Sequence, residues 1–277
     1  MILNSDLKNT LSLLQENRGF DFSGYRTSML NRRIQKRIAT TNSANLNEYE
    51  EYLEQNNSEL DKLIDVLTII VSRFFRDTFA YEYIADHLLP KIISVNNFSK
   101  DQSVRIWSAG CCTGEEPYSI AMLIKEIAEE EKLKLSTTII ATDIDKKALE
   151  FAKKAVYSTE TVKSLKYRLL EKYFTTQGYV FKLKSEIKRM VRFSEYDMLH
   201  KNSFTPPEGI YGGFDIVLCR NLLIYFKSDF QEMVFNKLYR SLNNNSVLFL
   251  GEVEVLPEKF KGKFIRTTKH CKTYKKR

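Results

Sequence analysis

The stretch VRIWSAGCCTGEEPYS, residues 104–119, has the pattern of a strand, a loop of small residues and the start of a helix. Residues 104–107 have the β-branched and aromatic composition of a short strand, and the small residues at 108–114 form a loop whose backbone can approach a ligand closely. This loop lacks the GxGxxG spacing of dinucleotide binders, and Glu115 and Glu116 after it would repel a pyrophosphate. The stretch therefore favours a cationic or neutral ligand over a phosphate.

Strands and helices alternate after this stretch. We expect strands at 138–141, 191–193, 214–218 and 247–250, and helices at 118–128, from about 146, and at 230–242. This order predicts a parallel sheet that binds ligands at the carboxyl ends of its strands. The basic cluster at 269–277 is expected to be a solvated strand end and tail.

The second strand of the predicted sheet ends at Asp143, which is followed by Ile144 and Asp145. A carboxylate at a strand tip can accept hydrogen bonds from both hydroxyls of a ribose. Without a phosphate-binding glycine loop before it, this acid indicates an adenosine that carries no phosphates. S-adenosylmethionine fits, because its sulfonium is positive and its methionyl part is zwitterionic. The alternative role for Asp143 is to cap the next helix, for which Asp145 is the better candidate.

Composition excludes several classes of protein. The chain has 277 residues, of which 43% are hydrophobic, and no apolar run approaches the roughly 20 residues of a membrane span. The four cysteines have no CxxC spacing, and the three histidines stand alone, so we expect no metal site. The amino terminus lacks a basic, cleavable leader, and we expect a soluble cytoplasmic protein. The net charge of +8 is a weak indication of an acidic partner.

The amino-terminal part has helical periodicity with few turn signals. We expect a helical domain over residues 1–95 and an α/β domain over 96–277, joined by a linker at 95–103. Phe74 and Phe75 are expected in a core between the two domains, the alternative being a platform that stacks on the substrate, and Asp77 is the expected cap of a longer helix that follows it.

Several sequence blocks together resemble one family. They are DFSGY (21–25), RRIQKR (32–37), FFRD (74–77), WSAGCCTGEEPYS (107–119), ATDID (141–145) and CRNLLIYF (219–226). They are similar to the CheR family of chemotaxis-receptor glutamate O-methyltransferases. The resemblance implies a Rossmann-like S-adenosylmethionine-dependent methyltransferase domain with a small β-subdomain, preceded by an all-α domain.

The resemblance also implies site residues. The cofactor contacts would be Ser72, Arg76, Glu116, Asp143, Asp197, Met198, Arg220 and Asn221. Arg76 and Tyr225 would face the transferred methyl as catalytic residues, and the all-α domain would contribute Ser72 and Arg76. The chain departs from the family at Ile70, Ser72, Cys112 and Glu252-Val253. The stretch at 173–178 lacks the arginine of the receptor-tethering hairpin found in some members.

The implied activity is transfer of methyl from S-adenosylmethionine to receptor glutamates, which releases S-adenosylhomocysteine. A glutamate with a pKa of about 4.3 is already ionised at neutral pH, so the lack of an obvious catalytic His or Cys agrees with this activity. Positioning would do most of the work. The alternatives are a non-catalytic module that senses cofactor and a nucleic-acid methyltransferase. Against the second, this sequence lacks the Asn-Pro-Pro-aromatic loop with which methyltransferases of base amino groups hold their substrate.

Basic residues cluster on one predicted helix, with Arg33, Lys36 and Arg37 at i, i+3 and i+4. The resemblance implies that this helix docks the acidic cytoplasmic helices of a chemoreceptor, whereas the alternative is a solvated basic face. We expect a monomer whose partner is that receptor domain and which binds no nucleic acid.

Overall fold

The computed structural model describes residues 7–97, 103–201, 203, 205–209 and 213–277. The chain divides into two compact units, the first comprising Met1–Ile70 and Tyr225–Gln231 and the second Val71–Ile224 and Glu232–Arg277. The division thus lies at Ile70 and not at the expected residue 95. The reason is that helical residues such as Leu89 and Ile93 share one hydrophobic core with Val104 and Ile106 of the sheet.

The first unit contains four helices among its described residues, in agreement with the periodicity. They are α1 Lys8–Arg18, α2 Thr27–Thr41, α3 Leu46–Gln55 and α4 Asn57–Leu67. Apolar residues at helical spacing, such as Leu14, Ile34 and Leu63, are completely buried, so each helix contributes one face to a common core. The segment after Tyr225 joins this unit through a β-bridge between Tyr25 and Phe226.

The second unit is built on a seven-stranded sheet, counted over the described part of the chain. Its strands are β1 Ser103–Ala109, β2 Ser136–Asp143, β6 Val191–Glu195, β7 Phe214–Cys219, β8 Leu242–Leu250, β9 Phe264–Arg266 and β10 Thr273–Lys276, in the order β6-β2-β1-β7-β8-β10-β9. The first five of these pair in parallel, whereas β10 is antiparallel to β8 and β9. All five predicted strands of the α/β domain are confirmed.

Helices flank this sheet. They are α5 Thr78–Tyr83, α6 Leu89–Asn97, α7 Glu115–Glu130, α8 Lys146–Lys154, α9 Thr159–Val162, α10 Tyr167–Tyr173, α11 Ser185–Lys188, α12 Ser228–Ser241 and α13 Glu258–Lys261, with a π-helical turn Ile84–Leu88 between α5 and α6. The predicted linker is wrong where it can be checked, because α6 runs to Asn97 and β1 begins at Ser103. Residues 98–102 lie outside the described part of the chain.

A small second sheet confirms the β-subdomain. It contains β3 Val156–Ser158, β4 Phe174–Gln177 and β5 Val180–Leu183 in the order β3-β5-β4. Phe74 packs edge-to-face on Tyr157 and Phe174, with ring centroids 4.9 and 5.7 Å away. Phe74 is therefore a core residue, but its core belongs to the second unit and not to a boundary between the domains, and Phe75 is only partly buried.

The carboxyl-terminal prediction of a solvated strand end and tail is only partly right, since Lys269, Lys275 and Arg277 are exposed but the strand itself is part of the main sheet. Strand β10 lies between β8 and β9, and Thr273 and Tyr274 are buried. Lys276 is also buried, and its Nζ donates hydrogen bonds to the carbonyls of Tyr239 (2.9 Å) and Leu242 (2.6 Å). The ammonium group of Lys276 is thus held by main-chain oxygens, and its long side-chain stem is packed against protein.

None of the described helices is both long and apolar enough to cross a membrane. The described residues likewise contain no group of three or more His, Cys, Asp or Glu side chains that could hold a metal ion.

Candidate active site

The loop after β1 requires glycine at two positions. Gly110 has φ +73°, and a Cβ there would lie 3.0 Å from Cδ2 of Leu222. Gly114 has φ +92°, and a Cβ there would lie 3.0 Å from the Cβ of Ala152. Both residues combine left-handed backbone with close packing, which only glycine combines without strain. The small residues therefore bring the backbone of this loop close to the ends of the neighbouring strands.

Asp143 anchors this loop from the end of β2. Its Oδ2 accepts a hydrogen bond from the N–H of Cys112 (2.8 Å), and its Oδ1 accepts one from the N–H of Asp145 (3.0 Å). Burial raises the pKa of Asp143, although these backbone donors oppose the rise. The helix cap is instead Asp145, whose Oδ1 accepts from the N–H of Ala148 (3.0 Å). An ionised carboxylate has about four acceptor positions, so Asp143 keeps capacity for further donors.

Arg220, directly after β7, is the buried centre of a charge cluster whose acids are partly buried. Its guanidinium pairs with Glu116 (3.4 Å) and with Asp77, and it donates to the main-chain carbonyl of Arg76 (3.0 Å). It also lies over the rings of Phe249 and Tyr81, 4.5 and 5.4 Å from their centroids. The Nε of Arg220 is buried and has no partner among the described residues.

One sequence prediction changes at this cluster, and one residue of the cluster was not predicted. Asp77 occupies the N-cap position of α5 without capping it through its side chain, since its carboxylate pairs with Arg220. Tyr81, which the sequence analysis did not single out, is completely buried beside Arg220. Burial raises the pKa of Tyr81, and the charge of Glu116 raises it further. An aromatic residue on an apolar helix face gave no signal of this position in the sequence.

Glu116 and Glu115 begin α7 and face different partners. The Glu116 carboxylate accepts a hydrogen bond from the Ser108 hydroxyl (2.8 Å), and burial raises its pKa while Arg220 opposes the rise. Glu115 accepts from the hydroxyls of Thr113 (2.8 Å) and Ser72, and burial raises its pKa too. Two acids therefore lie where the glycine-containing loop meets the helix.

Ser72 and Arg76 belong to the second unit, and not to the helical unit that was expected to contribute them. The Arg76 guanidinium donates to the carbonyl of Val71 (3.3 Å), and its own carbonyl accepts from Arg220 (3.0 Å). Both residues are only partly buried. They thus lie on a segment that is tied to α7 through Ser72 and to β7 through Arg76.

Asp197 and Met198 follow β6, which pairs with β2. Asp143 is in register with Glu195, and the N–H of the next residue, Tyr196, donates to the Asp143 carbonyl (2.9 Å). The Asp197 carboxylate accepts from the N–H of Leu199 (2.7 Å), and Met198 is buried. These two residues consequently lie at the same edge of the sheet as Asp143.

A buried lysine missed by the sequence analysis holds this segment. Lys237 of α12 is 1% exposed, and its Nζ donates to the carbonyl of His200 (2.6 Å) and lies 5.2 Å from the ring centroid of Tyr196. Burial lowers the pKa of Lys237 to about 8, while the charge of Asp197 opposes the change. Its helical position gave no sequence signal, because a lysine on an amphipathic helix is normally solvated.

Asn221 adopts left-handed backbone with φ 59°. Its N–H donates to the carboxylate of Glu254 (3.0 Å), another residue that the sequence analysis missed. Tyr225 comes four residues later and ends a 3₁₀ turn, Leu223–Tyr225. It is counted with the first unit, in which the N–H of Arg26 donates to its carbonyl (2.8 Å).

The basic residues of α2 have different surroundings. Arg37 forms two hydrogen bonds of 2.8 Å with the buried carboxylate of Glu59. Arg33 is partly buried and donates to the carbonyl of Val66 (2.5 Å), whereas Lys36 and Arg32 are exposed. The predicted stripe therefore combines two arginines held within the first unit with a lysine that faces solvent.

Cysteine chemistry does not fit this site. Cys111 and Cys219 are completely buried, and burial raises the pKa of both thiols. Burial raises the pKa of Cys112 as well, and the charge of Asp143 adds to the effect. A thiol held in its neutral form is a poor nucleophile.

Comparison with known proteins identifies the family. The family described as CheR methyltransferase, SAM binding domain, matches residues 71–272, and the one described as CheR methyltransferase, all-alpha domain, matches residues 5–68. The chain belongs to the CheR methyltransferase family. The two matches divide where the two CheR units divide, close to Ile70.

Relatives of this CheR chain match it over most of their length. The chemotaxis protein methyltransferase of Borreliella burgdorferi is 30% identical over 259 residues, which is 92% of this chain and 89% of that protein. Chemotaxis protein methyltransferase 2 of Vibrio cholerae is 30% identical over 258 residues, which is 92% and 86% of the two chains. Among solved structures, the DszA carbon methyltransferase is 17% identical and covers 65% of this chain and 36% of that chain, with a TM-score of 0.40.

The residues at the strand ends of this CheR domain fit its cofactor, S-adenosylmethionine. The partly buried carboxylate of Glu116 and the buried carboxylate of Asp143 favour a cation such as a sulfonium, and no phosphate-type loop accompanies them. The orphaned Nε of Arg220 lies in the same cluster, and a buried donor without a partner is costly unless a ligand supplies one. Glycine at 110 and 114 keeps side chains away from the loop that would face the ligand.

Proposed function

We propose that this protein transfers methyl groups from S-adenosylmethionine to glutamate side-chain carboxylates on the cytoplasmic helical domain of a chemoreceptor. The products would be glutamate methyl esters and S-adenosylhomocysteine. The observation that carries the proposal is the cluster of Glu116, Asp77 and Arg220 at the strand ends of a CheR domain, beside cysteine thiols that burial keeps neutral. The names of the relatives, chemotaxis protein methyltransferases, support the receptor as substrate.

This chemistry asks for orientation and not for acid–base catalysis. When bound, S-adenosylmethionine supplies an electrophilic methyl group on a positively charged sulfur. The accepting glutamate, with an ordinary pKa of about 4.3, is ionised near neutral pH and needs no general base. Its oxygen must be held about 3 to 3.5 Å from the methyl carbon, in line with the bond that breaks. Site residues therefore act by binding, orienting and excluding water.

Each site residue has a role in this proposal. Asp143 would accept the ribose hydroxyls, with Asp197 and Met198 on the adenine side of the same edge. Glu116 and Arg220 would hold the methionyl part, with Ser72 and Asn221 beside them. A guanidinium is suited to bind a carboxylate through two parallel hydrogen bonds, so Arg76 would orient the substrate glutamate, and the Tyr225 hydroxyl would act near the transferred methyl.

The proposal is tested by methyl transfer from radiolabelled S-adenosylmethionine to a receptor cytoplasmic fragment, followed by alkali. Glutamate methyl esters release volatile methanol, whereas methyl groups on base nitrogens do not. We expect alkali-labile label, lost in Arg76→Ala and kept in the matched control Arg73→Ala, whose side chain is exposed three residues earlier. Label only on nucleic acid, or cofactor binding without transfer to either substrate, would overturn the proposal in favour of one of its two alternatives.

Receptor docking is proposed on the exposed basic face of α2, where Lys36 and Arg32 face solvent. Arg33 and Arg37 are not part of this docking proposal, since Arg33 is partly buried and bonded to the Val66 carbonyl and Arg37 is paired with Glu59. The protein would act as a cytoplasmic monomer. Charge reversal at Lys36 is expected to raise KM for receptor fragment and flatten its salt dependence, because steering between opposite charges weakens as salt increases. The same reversal at Lys8, exposed on α1, is the control; equal kinetics of the two variants would contradict docking here.

A further inference from the structure

Glu254 is a buried carboxylate that accepts four backbone hydrogen bonds. Its Oε2 accepts from the N–H groups of Gly251 (2.7 Å) and Asn221 (3.0 Å), and its Oε1 accepts from those of Leu222 (2.9 Å) and Leu223 (2.8 Å). The residue is 3% exposed. All the acceptor positions of an ionised carboxylate are therefore occupied by main chain from two different strand ends.

These four bonds shape the loop that follows β7. Asn221 has left-handed backbone, and three consecutive N–H groups, from 221 to 223, converge on one side chain. Asparagine tolerates the left-handed region better than most residues, but a run of backbone donors pointing inward needs a concentrated acceptor. One carboxylate supplies it, and the preceding residue, Arg220, is the centre of the charge cluster described above.

The same carboxylate fixes the distance between β8 and this loop. A Cβ on Gly251 would lie 2.9 Å from the Asn221 nitrogen and 2.9 Å from Oε2 of Glu254, so glycine is required there. The loop in turn contacts the first glycine loop, because a Cβ on Gly110 would lie 3.0 Å from Cδ2 of Leu222. Glu254 thus connects the ends of β7 and β8 directly and that of β1 through Leu222.

The charge of Glu254 also reaches the cluster. Burial raises the pKa of Glu116, and the charge of Glu254 contributes to the rise. Glu254 itself is held by N–H groups, so its negative charge is only partly neutralised. It adds to the carboxylates of Asp77, Glu116 and Asp143, which makes this edge of the sheet favourable for a cationic group.

We propose that Glu254 is the positioning residue that holds Arg220 and Asn221 in the geometry required for the cofactor. It acts through the main chain and touches neither cofactor nor substrate. The inference rests on the proposed function only in placing the cofactor at Arg220 and Asn221. It adds to that function a residue, located after the end of β8, that holds the cofactor-binding residues in place.

Glu254→Gln is the direct test, because an amide keeps the shape but turns an NH₂ group toward two N–H donors. Affinity for S-adenosylhomocysteine, measured by calorimetry at a temperature where the variant is folded, is expected to fall at least about tenfold, or about 1.4 kcal/mol. Faster amide hydrogen exchange is expected at residues 221–223. The control is Glu258→Gln, an exposed charge on α13, which should leave affinity and exchange unchanged.

A role in stability alone predicts a different result. Glu254→Gln would then lower the melting temperature while affinity stays within about twofold of wild type, and that result would overturn the proposal. If Glu254→Gln does not fold, Gly251→Ala decides, since it keeps the carboxylate and pushes Asn221 away from it. Unchanged affinity in Gly251→Ala would also overturn the proposal. Because affinity for S-adenosylhomocysteine does not depend on the methyl acceptor, failure of receptor methylation would leave this test valid.

Discussion

Arg37 of the first unit is partly buried and Arg220 of the second unit is buried, and the hydrogen-bond donors of the two side chains are satisfied to different degrees. In the first unit, Arg37 makes two parallel bonds to Glu59, which also accepts a hydrogen bond from the Tyr49 hydroxyl (3.0 Å). In the second unit, Arg220 shares its guanidinium among two acids and a carbonyl and leaves Nε without a partner among the described residues. An ion pair whose groups bond to each other, here called closed, is typical of a structural contact. A charged cluster that leaves a buried donor without a partner, here called open, is typical of a binding site.

The largest expected effect comes from breaking the ion pair between Arg37 and Glu59. Arg37→Glu places a second carboxylate beside Glu59, and the free energy of unfolding should fall by about 3 kcal/mol or more, because an unpaired charge is left buried. Lys36→Glu, one residue earlier and exposed, should change it by less than about 0.5 kcal/mol. Urea unfolding of both variants measures the difference. Equal stabilities would mean that the pair with Glu59 does not support the first unit.

The second effect concerns two acids at the end of β2. Asp143→Ala should weaken binding of S-adenosylmethionine and S-adenosylhomocysteine, since each charge-assisted hydrogen bond contributes about 1.5 to 3 kcal/mol. Asp145→Ala removes the cap of α8, so it should cost about 1 kcal/mol of stability and leave affinity nearly unchanged. Calorimetry and thermal unfolding of the two variants separate the roles, and the reverse pattern would remove Asp143 from the site.

The third effect concerns Tyr225, the predicted catalytic residue that is counted with the first unit. Tyr225→Phe should lower kcat about tenfold and leave cofactor affinity nearly intact, since the hydroxyl is proposed to act in the transition state. Single-turnover kinetics with receptor fragment would measure the rate. Equal losses in binding and rate would make Tyr225 only a cofactor contact, and full activity would exclude it.

The smallest effect concerns Lys237, whose pKa burial lowers to about 8. Above that pH the folded protein binds fewer protons than the unfolded chain, so the contribution of Lys237 to stability rises with pH. The wild-type free energy of unfolding minus that of Lys237→Met should increase by about 1 kcal/mol between pH 7 and pH 9. Groups common to both proteins cancel in this difference. A difference that does not vary with pH would contradict the lowered pKa of Lys237 in the folded protein.

The sequence predicted the α/β strands because their apolar runs and glycine-containing loop are local signals. It did not predict β9 and β10 as strands of the main sheet, because Lys276 carries a charge that the fold buries against main-chain carbonyls. Asp145 was recognised as a cap from its position alone. Glu254 was missed because its partners are backbone groups far away in sequence. A sequence therefore predicts contacts between neighbouring residues, but it does not predict which distant backbone groups will hydrogen-bond to a buried charge.

We propose that the open cluster at the strand ends serves methyl transfer to glutamate. Tandem mass spectrometry of a receptor cytoplasmic fragment, incubated with the protein and S-adenosylmethionine, is the direct test. We expect methyl groups on glutamate side chains, which disappear after alkali and are not formed by Asp143→Ala at wild-type rates. Methyl groups on lysine, arginine or nucleic acid, or an unmodified fragment despite measurable cofactor binding, would contradict it.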